Sequence, residues 1–446
     1  MIEDKKELYE NSEIYDVVGI GFGPSNLALA IAIEESEKKL SSLFFESQKC
    51  FAWHGDMLME NMQLQVSFLK DLVTLRNPQS YYSFLNYLKV KNRLNDFINL
   101  RDFYPTRIEY NDYFCWAAEQ FSNQVRYQTK VVSLEPYVQD DEYSIKYTKV
   151  VVENMEDGSI NEVLAKNVIV ATGGVPNTPA HINLDSKHII HTKQFLHKLK
   201  NNYPDQNQPY EFVVVGSGQS AAEIFNYLID HYKNAKIKSV MKQFAFKQSD
   251  DSPFVNEIFH NEITDFVYNL PTDQRNSFIK NYQDTNYSVV DVDLIKEIYK
   301  KVYIQKVADQ HRFKILPFME LKTLVETEQG VRGRFLNREG GYEELKADAY
   351  FLATGYKRKI PSILNNIFTY LEKDETGNLK VERSHRVLSK DRFSPSIYVQ
   401  GFNEKTHGLS DTLLSIIPFR VEDILEDIIH RMGEKDTHED YMLAQK

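Results

Sequence analysis

Two cysteines in 446 residues leave little room for disulfide or metal chemistry. Cys50 and Cys115 form no CxxC pair and no zinc-type spacing, so no stapled secreted fold and no metal site is expected, and a reducing cytoplasm suits the chain. No run of about 18 apolar residues occurs, so no spanning helix is expected. The opening stretch, MIEDKKELYENSEIYD, is acidic and polar and lacks the apolar core of an export signal. Basic charge is also short. The 53 Lys and Arg stand against 64 Asp and Glu, a net charge of −11, and they are scattered rather than patched. Neither nucleic acid nor a membrane is therefore expected as a partner.

What is present is a globular composition, with 42% hydrophobic residues, 27 Tyr and 27 Phe. That is enough for a sizeable core and for flat-ligand pockets. The length points to two or three domains. The first strong strand, YDVVGI, is followed by a glycine turn, a helix in NLALAIAIEESEKK and a second strand, SLFFES. This is a strand–turn–helix–strand unit of the dinucleotide-binding kind. The grammar returns in FVVVGSGQSAAEIFNYLIDHY followed by KIKSVMK. Between the two lie Tyr-rich helical stretches and a β-meander around residues 126–170. NNYPDQNQ, residues 201–208, reads as a linker, and ETEQGVRGRFLNREGGYEE reads as hairpins before an apolar strand at Tyr350 to Ala353.

In the first turn, Gly19-Ile20-Gly21-Phe22-Gly23-Pro24, the spacing gives Gly19 the tight turn and Gly21 the close approach to a pyrophosphate at a helix N-terminus. Pro24 then takes the last small position, where a first helical turn tolerates proline. Glu46 ends the second strand about twenty residues on, where an acid holds a ribose hydroxyl. In the second turn, Gly216-Ser217-Gly218-Gln219-Ser220-Ala221, alanine replaces the third glycine. Lys242 stands where an acid would repel a 2′-phosphate, which favours NADPH over NADH. As a bare residue, Lys242 is equally a solvated surface lysine. ATGG at Ala171 and ATGY at Ala353 each follow an apolar strand, as in flavoproteins with two nucleotide sites.

Seven segments then carry a resemblance: GIGFGPSNLALAIA, WHGDMLMENMQLQVSFLKDLVTLRNPQSYYSFLNYL, VGSGQSAAE, DDSPFVNEIF, TNYSVVD, FLATGY and HGLSDTLLS. Over roughly residues 14–430 the chain resembles the class B flavin monooxygenases, and within them the L-ornithine 5-monooxygenases and L-lysine 6-monooxygenases of siderophore synthesis. The resemblance implies an α/β fold with two Rossmann-like dinucleotide-binding domains and a small helical substrate-binding region. Its boundaries would be 1–195 for the first part of the FAD domain and 205–345 for the NADPH domain, with substrate helices near 250–305. Residues 346–446 would complete the FAD domain and carry a closing segment.

The resemblance also implies roles. Gly19, Gly21, Gly23, Pro24 and Glu46 would hold FAD, with Trp53, His54 and Gln65 lining the flavin ring. Arg107, Gly216, Gly218, Ser220 and Lys242 would contact NADPH. Lys70 would pair with the substrate carboxylate, and Asn256 would bind the amino-acid end. Asn286 would bridge nicotinamide and reacting amine, and Leu413 and Ser415 would close over flavin and substrate. Gln65 and Asn286 are the catalytic candidates. Relatives usually carry arginine at the position of Lys242, and lysine loses the planar fork. The implied reaction is N-hydroxylation of the terminal amine of a small substrate by molecular oxygen, via a flavin hydroperoxide, most naturally on L-ornithine, in a cytoplasmic homo-oligomer (a tetramer in relatives).

Read without the family, Lys70 either snorkels or neutralises a bound anion. Asn256 and Asn286 suit an uncharged grip on an amine, but equally caps or turns. His54 beside Trp53 is equally a packed pair. Rival substrates are L-lysine, putrescine, cadaverine and histamine. A non-hydroxylating flavoprotein reductase is the rival of another class, and it would need a redox cysteine pair that Cys50 and Cys115 do not form. A non-catalytic nucleotide-binding protein is the third.

Overall fold

The computed structural model describes residues 13–138, 144–179, 182–328 and 330–443. Residues 1–12, most of the N-terminal stretch read above, lie outside it. The strand segments are short β-branched and aromatic runs buried on both faces, as parallel sheets require. The first sheet has a parallel centre in the order Ser396–Val399, Ile160–Val170, Ile14–Ile20, Ser42–Phe45, Val125–Arg126. Thr129–Tyr137 and Tyr147–Asn154 form the expected meander, antiparallel to one another, the second pairing with the Ile160–Val170 strand. The helix Pro24–Glu35 is buried from Asn26 to Ile33. It is apolar all round because it lies between the sheet and other helices.

The second sheet is wholly parallel, in the order Phe313–Leu316, Lys236–Val240, Glu211–Val215, Ala349–Leu352, Ile189–His191. The expected hairpins are present as Glu320–Thr327, Gly330–Leu336 and Tyr342–Ala347. The helices Pro253–Asn256, Asn261–Asn269, Thr272–Tyr282 and Val292–Val307 fill the region expected near 250–305. Among the described residues no helix is long and apolar enough to cross a membrane.

Strand pairing moves the expected limits at 195, 205 and 345. Ile189–His191 and Ala349–Leu352 both belong to the second sheet, so the chain leaves the first sheet after Val170 and returns after the ATGY turn. The two passes run side by side as Val175–Pro176 against Tyr356–Lys357. Thr354 Oγ1 donates to Asn177 O at 2.6 Å, and Asn177 Nδ2 donates to Thr354 O at 3.1 Å, so the passes are stitched together. NNYPDQNQ is not a linker between units. Its first residues end the helix Phe195–Asn202, and Tyr203 is buried among Tyr210 and Phe212.

Aromatic richness is spent mainly on the core. Phe84, Tyr87, Tyr110, Tyr113 and Phe114 are fully buried rings in mutual contact. This cluster also aims a loop. Tyr110 OH donates to the carbonyl of Lys70 at 3.1 Å, and the Leu72 amide donates to Tyr113 OH at 3.3 Å.

Candidate active site

The first glycine turn does not sit in the register that spacing suggested. Gly19 is inside the strand Ile14–Ile20, and a Cβ there would strike the Phe44 ring at 2.2 Å. Gly21 makes the turn, with φ +80, and a Cβ on it would meet the Ala171 carbonyl at 2.7 Å. Gly23 is the helix N-cap and Pro24 the first helical residue. The third position is therefore Asn26, fully buried, whose Nδ2 donates to Gly21 O at 2.7 Å. A spacing of glycine, glycine and Asn at 21, 23 and 26 matches 216, 218 and 221 in the second turn, where Gly218 is the N-cap and Gly216 abuts Ala353 O. The two ATG segments thus supply the carbonyls that forbid a side chain at each turn.

Both turns fit a nucleotide pyrophosphate. Neither Gly23 nor Gly218 caps its helix with a side chain, so the first amides remain available for an anion. A Cβ on Gly23 would meet nothing within 4 Å, so the cradle is open. Glu46 is buried. Its Oε2 accepts from the Phe22 amide at 2.8 Å and its Oε1 from the Gln48 amide at 2.9 Å, which braces the first turn.

Trp53 is hung from Asn111 Oδ1 through its amide at 2.9 Å. His54 is in left-handed backbone, φ 51, with Trp53 and Tyr356 rings at 5.2 and 6.2 Å. The residue as a whole is exposed, while its ring lies among neighbouring side chains. The protein packed around it, then Arg107 and Arg358, push its pKa down to about 4, so it is neutral. Gln65 is exposed and Ser220 half-buried in the first turn of its helix.

Arg107 is placed differently from the expected NADPH contact. Its guanidinium is bound bidentate by Glu223, Nη1 to Oε2 at 2.8 Å and Nη2 to Oε1 at 2.7 Å. Glu223 is buried and Arg107 half-buried, and the pair joins the helix Arg107–Glu119 to the helix Gln219–His231. Lys242 is exposed and not free of acid, as its sequence position suggested. Its amine lies 3.7 Å from Glu320, which also holds Lys322 at 2.9 Å.

Lys70 is half-buried, and burial pushes its amine below the ordinary lysine range. Among the described residues the amine has no hydrogen-bond or ion-pair partner. Asn256 spends its Nδ2 on Asp251 O at 2.9 Å, the loop-closing use of asparagine. Asn286 is half-buried, its carboxamide unbonded among the described residues. Its loop touches the second turn and the segment 404–412. Ser288 lies 3.5 Å from the Cβ position of Gly218, and Tyr287 OH reaches Glu404 and, at 3.2 Å, Thr412 Oγ1. Leu413 is half-buried and Ser415 buried just beyond. The structure thus gathers the second turn, Asn286 and the closing segment. Lys70 is held through its backbone carbonyl by Tyr110 of the aromatic cluster.

Sequence reasoning missed Asn26, Glu223 and Arg420. Glu223 alone left a signal, as an acid inside the apolar run AAEIF.

Comparison with known proteins gives four findings. The profile of the family described as L-lysine 6-monooxygenase/L-ornithine 5-monooxygenase matches residues 13–358. The chain is 39% identical to an L-ornithine N(5)-monooxygenase of Pseudomonas aeruginosa, over 92% of this chain and 93% of that protein. Among solved structures it is similar to an ornithine N-hydroxylase of Kutzneria sp. 744, with FADred, NADP+ and L-orn (TM-score 0.90, 33% identity, 94% of this chain and 100% of that one). It is also similar to the cadaverine monooxygenase of the desferrioxamine pathway of Erwinia amylovora, bound to FAD (TM-score 0.83, 27% identity, 93% and 94% covered).

Proposed function

Because the chain belongs to the L-lysine 6-monooxygenase/L-ornithine 5-monooxygenase family, we propose that its substrate is L-ornithine, hydroxylated on the terminal nitrogen for siderophore biosynthesis. The protein is an FAD- and NADPH-dependent amine N-monooxygenase. The observation that carries ornithine over a diamine is the half-buried Lys70 amine with no counter-anion among the described residues. A desolvated cation is stabilised by a carboxylate partner, and ornithine has one where putrescine, cadaverine and histamine do not.

The bound flavin and nicotinamide supply hydride transfer and oxygen activation. The first turn, through the Gly23 and Pro24 end of its helix, is our site for the FAD pyrophosphate, and Gly216, Gly218 and Ser220 for that of NADPH. Lys70 holds the substrate carboxylate. Asn286 orients the terminal amine, since a carboxamide offers both donor and acceptor without charge. An amine of this kind has a pKa of about 10.4 and is an ammonium without a lone pair in water. The residues therefore act by desolvation and positioning, which favour the neutral amine, and no side chain is assigned as a base. Neutral His54 beside Trp53 adds a flat wall without adding a cation. We place Asn256 near the amino-acid end, and Leu413 and Ser415 as cover that excludes water.

An exposed apolar stripe on the helix Val292–Val307, formed by Tyr299, Tyr303 and Val307, supports the inferred homo-oligomer. Two free thiols, Cys50 and Cys115, fit the inferred cytoplasmic location. The test of function is turnover side by side with L-ornithine, L-lysine, putrescine, cadaverine and histamine. Hydroxylamine formation fastest on ornithine is the expected result. A higher kcat/KM on an amine without a carboxylate would overturn the substrate while leaving the N-monooxygenase.

A further inference from the structure

Arg420 is only 2% exposed, and nothing in the reading above uses it. Its three nitrogens are spent in three directions. Nη2 donates to Ser25 Oγ at 2.8 Å, Nε to Gln400 Oε1 at 3.0 Å, and Nη1 to the backbone carbonyl of Asp411. Gln400 passes the contact on, because its Nε2 donates to Asn26 Oδ1 at 3.0 Å. Asn26 in turn holds the Gly21 carbonyl at 2.7 Å. One side chain therefore reaches the first glycine turn twice and the 409–412 turn once.

Asp411 is itself fixed. Its Oδ2 accepts from the Asn403 amide at 2.7 Å, while its Oδ1 is buried without a hydrogen bond, 3.6 Å from Arg420 Nη1. Stability alone is a weak reason to bury such a pair, since well-packed apolar residues often do as well. Geometry is the better reason. A guanidinium holds three partners at fixed angles, which the single ammonium of lysine does not.

We propose that Arg420 is a positioning residue that couples filling of the first glycine turn to ordering of the segment 409–416, which carries Leu413 and Ser415. The proposal rests on the reading above that FAD binds at that turn. In a turn shaped for the pyrophosphate, Ser25 and Asn26 hold Arg420 in the one orientation that pins the Asp411 carbonyl. When the turn relaxes, that pin loosens.

The test is amide hydrogen exchange of peptides covering 409–416, with and without saturating FAD, in wild type, Arg420→Lys and Ser25→Ala. In wild type, FAD is expected to slow exchange there about tenfold. Arg420→Lys is expected to bind FAD, seen as quenched flavin fluorescence, yet lose that protection. Ser25→Ala removes one hydroxyl from a half-exposed position and decides the matter if Arg420→Lys does not fold; its protection should drop to threefold or less. A merely structural role would raise exchange equally with and without FAD. Full protection on FAD loading in Ser25→Ala, or in a folded Arg420→Lys, overturns the proposal, as does a wild type in which FAD leaves 409–416 unprotected. A wild type that binds no FAD would instead overturn the underlying site reading, and the proposal with it.

Discussion

The Gly21 amide donates to Phe45 O at 2.8 Å and the Gly216 amide to Val240 O at 3.0 Å; the Ala171 amide donates to Ile20 O and the Ala353 amide to Val215 O, both at 2.9 Å. The two nucleotide turns thus share one backbone plan. Their surroundings differ. The first is braced by buried Glu46, stapled by Asn26 and clasped from behind by Arg420. The second ends at Lys242, 71% exposed, and is faced by the loop of Ser288. Buried braces suit a nucleotide that stays through many turnovers, and an exposed ion pair suits one that must leave.

The largest expected effect separates backbone demand from ligand demand within the first turn. Gly21→Ala meets both a positive φ and a carbonyl at 2.7 Å, so the apoprotein should lose about 1–3 kcal/mol and bind no flavin. Gly23→Ala has φ −83 and open space around the new methyl. It should melt like wild-type apoprotein and still lose most FAD, because the methyl occupies pyrophosphate space. Flavin absorbance per protein and apoprotein Tm measure both. A Gly23→Ala protein with stoichiometric FAD would break the assignment of that turn.

Truncating Lys70 should strike the substrate and spare both nucleotides. Lys70→Ala leaves a desolvated carboxylate unpaired, a loss on the order of 2–5 kcal/mol in kcat/KM for ornithine. Anaerobic flavin reduction by NADPH should be unchanged, since the substrate carboxylate has no part in that step. A matching loss of reduction rate would show that the variant damages the first unit as a whole.

Acid should destabilise the first unit. His407 is packed against His385, at 4.1 Å between ring centroids, and against Tyr268, and it faces Arg383, Asp411 and Arg420. Burial is the main cause that pushes its pKa down to about 4, and burial also drives His385 well below its ordinary value. The unfolded histidine titrates near 6.5, so between about 4 and 6.5 the unfolded chain binds more protons. Stability therefore falls as pH drops through that window, on the order of 3 kcal/mol for His407 at its lower end. Denaturant unfolding at pH 7.5, 6 and 5 checks this, with flavin release as the second signal. Equal stability at pH 7.5 and 5 in wild type would exclude it.

Strand–turn–helix units were legible because hydrophobic period and glycine punctuation are local. The register of the first turn was not. GIGFGP offers three alternating glycines, and only the end of the strand at Ile20 decides which one turns. The ion pair of Arg107 was not legible because its partner Glu223 lies 116 positions away. The boundary near residue 195 was missed because IIH, three residues long, is too short to show a period yet long enough to pair with the second sheet. Lys70 was legible as a candidate from its apolar flanks, but that its amine has no partner among the described residues is a fact of three dimensions.

The smallest expected effect tests whether the second turn is tuned for release. Glu320 holds Lys322 and Lys242 together just beyond the strand that ends at Val240, where a 2′-phosphate would seek a cation. An exposed pair of this kind is worth about 0–1 kcal/mol, so the acid can temper NADPH affinity without abolishing it. Glu320→Gln keeps the size of the side chain and frees both amines. Affinity for 2′,5′-ADP should then rise roughly two- to fivefold, which is under about 1 kcal/mol. NADH-driven reduction should not change, because NADH has no phosphate to gain. Lys242→Ala should lower affinity for 2′,5′-ADP and likewise leave NADH-driven reduction unchanged, and Lys242→Arg should tighten NADPH by restoring a planar fork. All three shifts should shrink as salt rises, since the groups are exposed and screened. If Glu320→Gln leaves the NADPH-to-NADH preference untouched at low salt, Lys242 does not read the 2′-phosphate, and the contrast between the two turns must rest on the braces of the first alone.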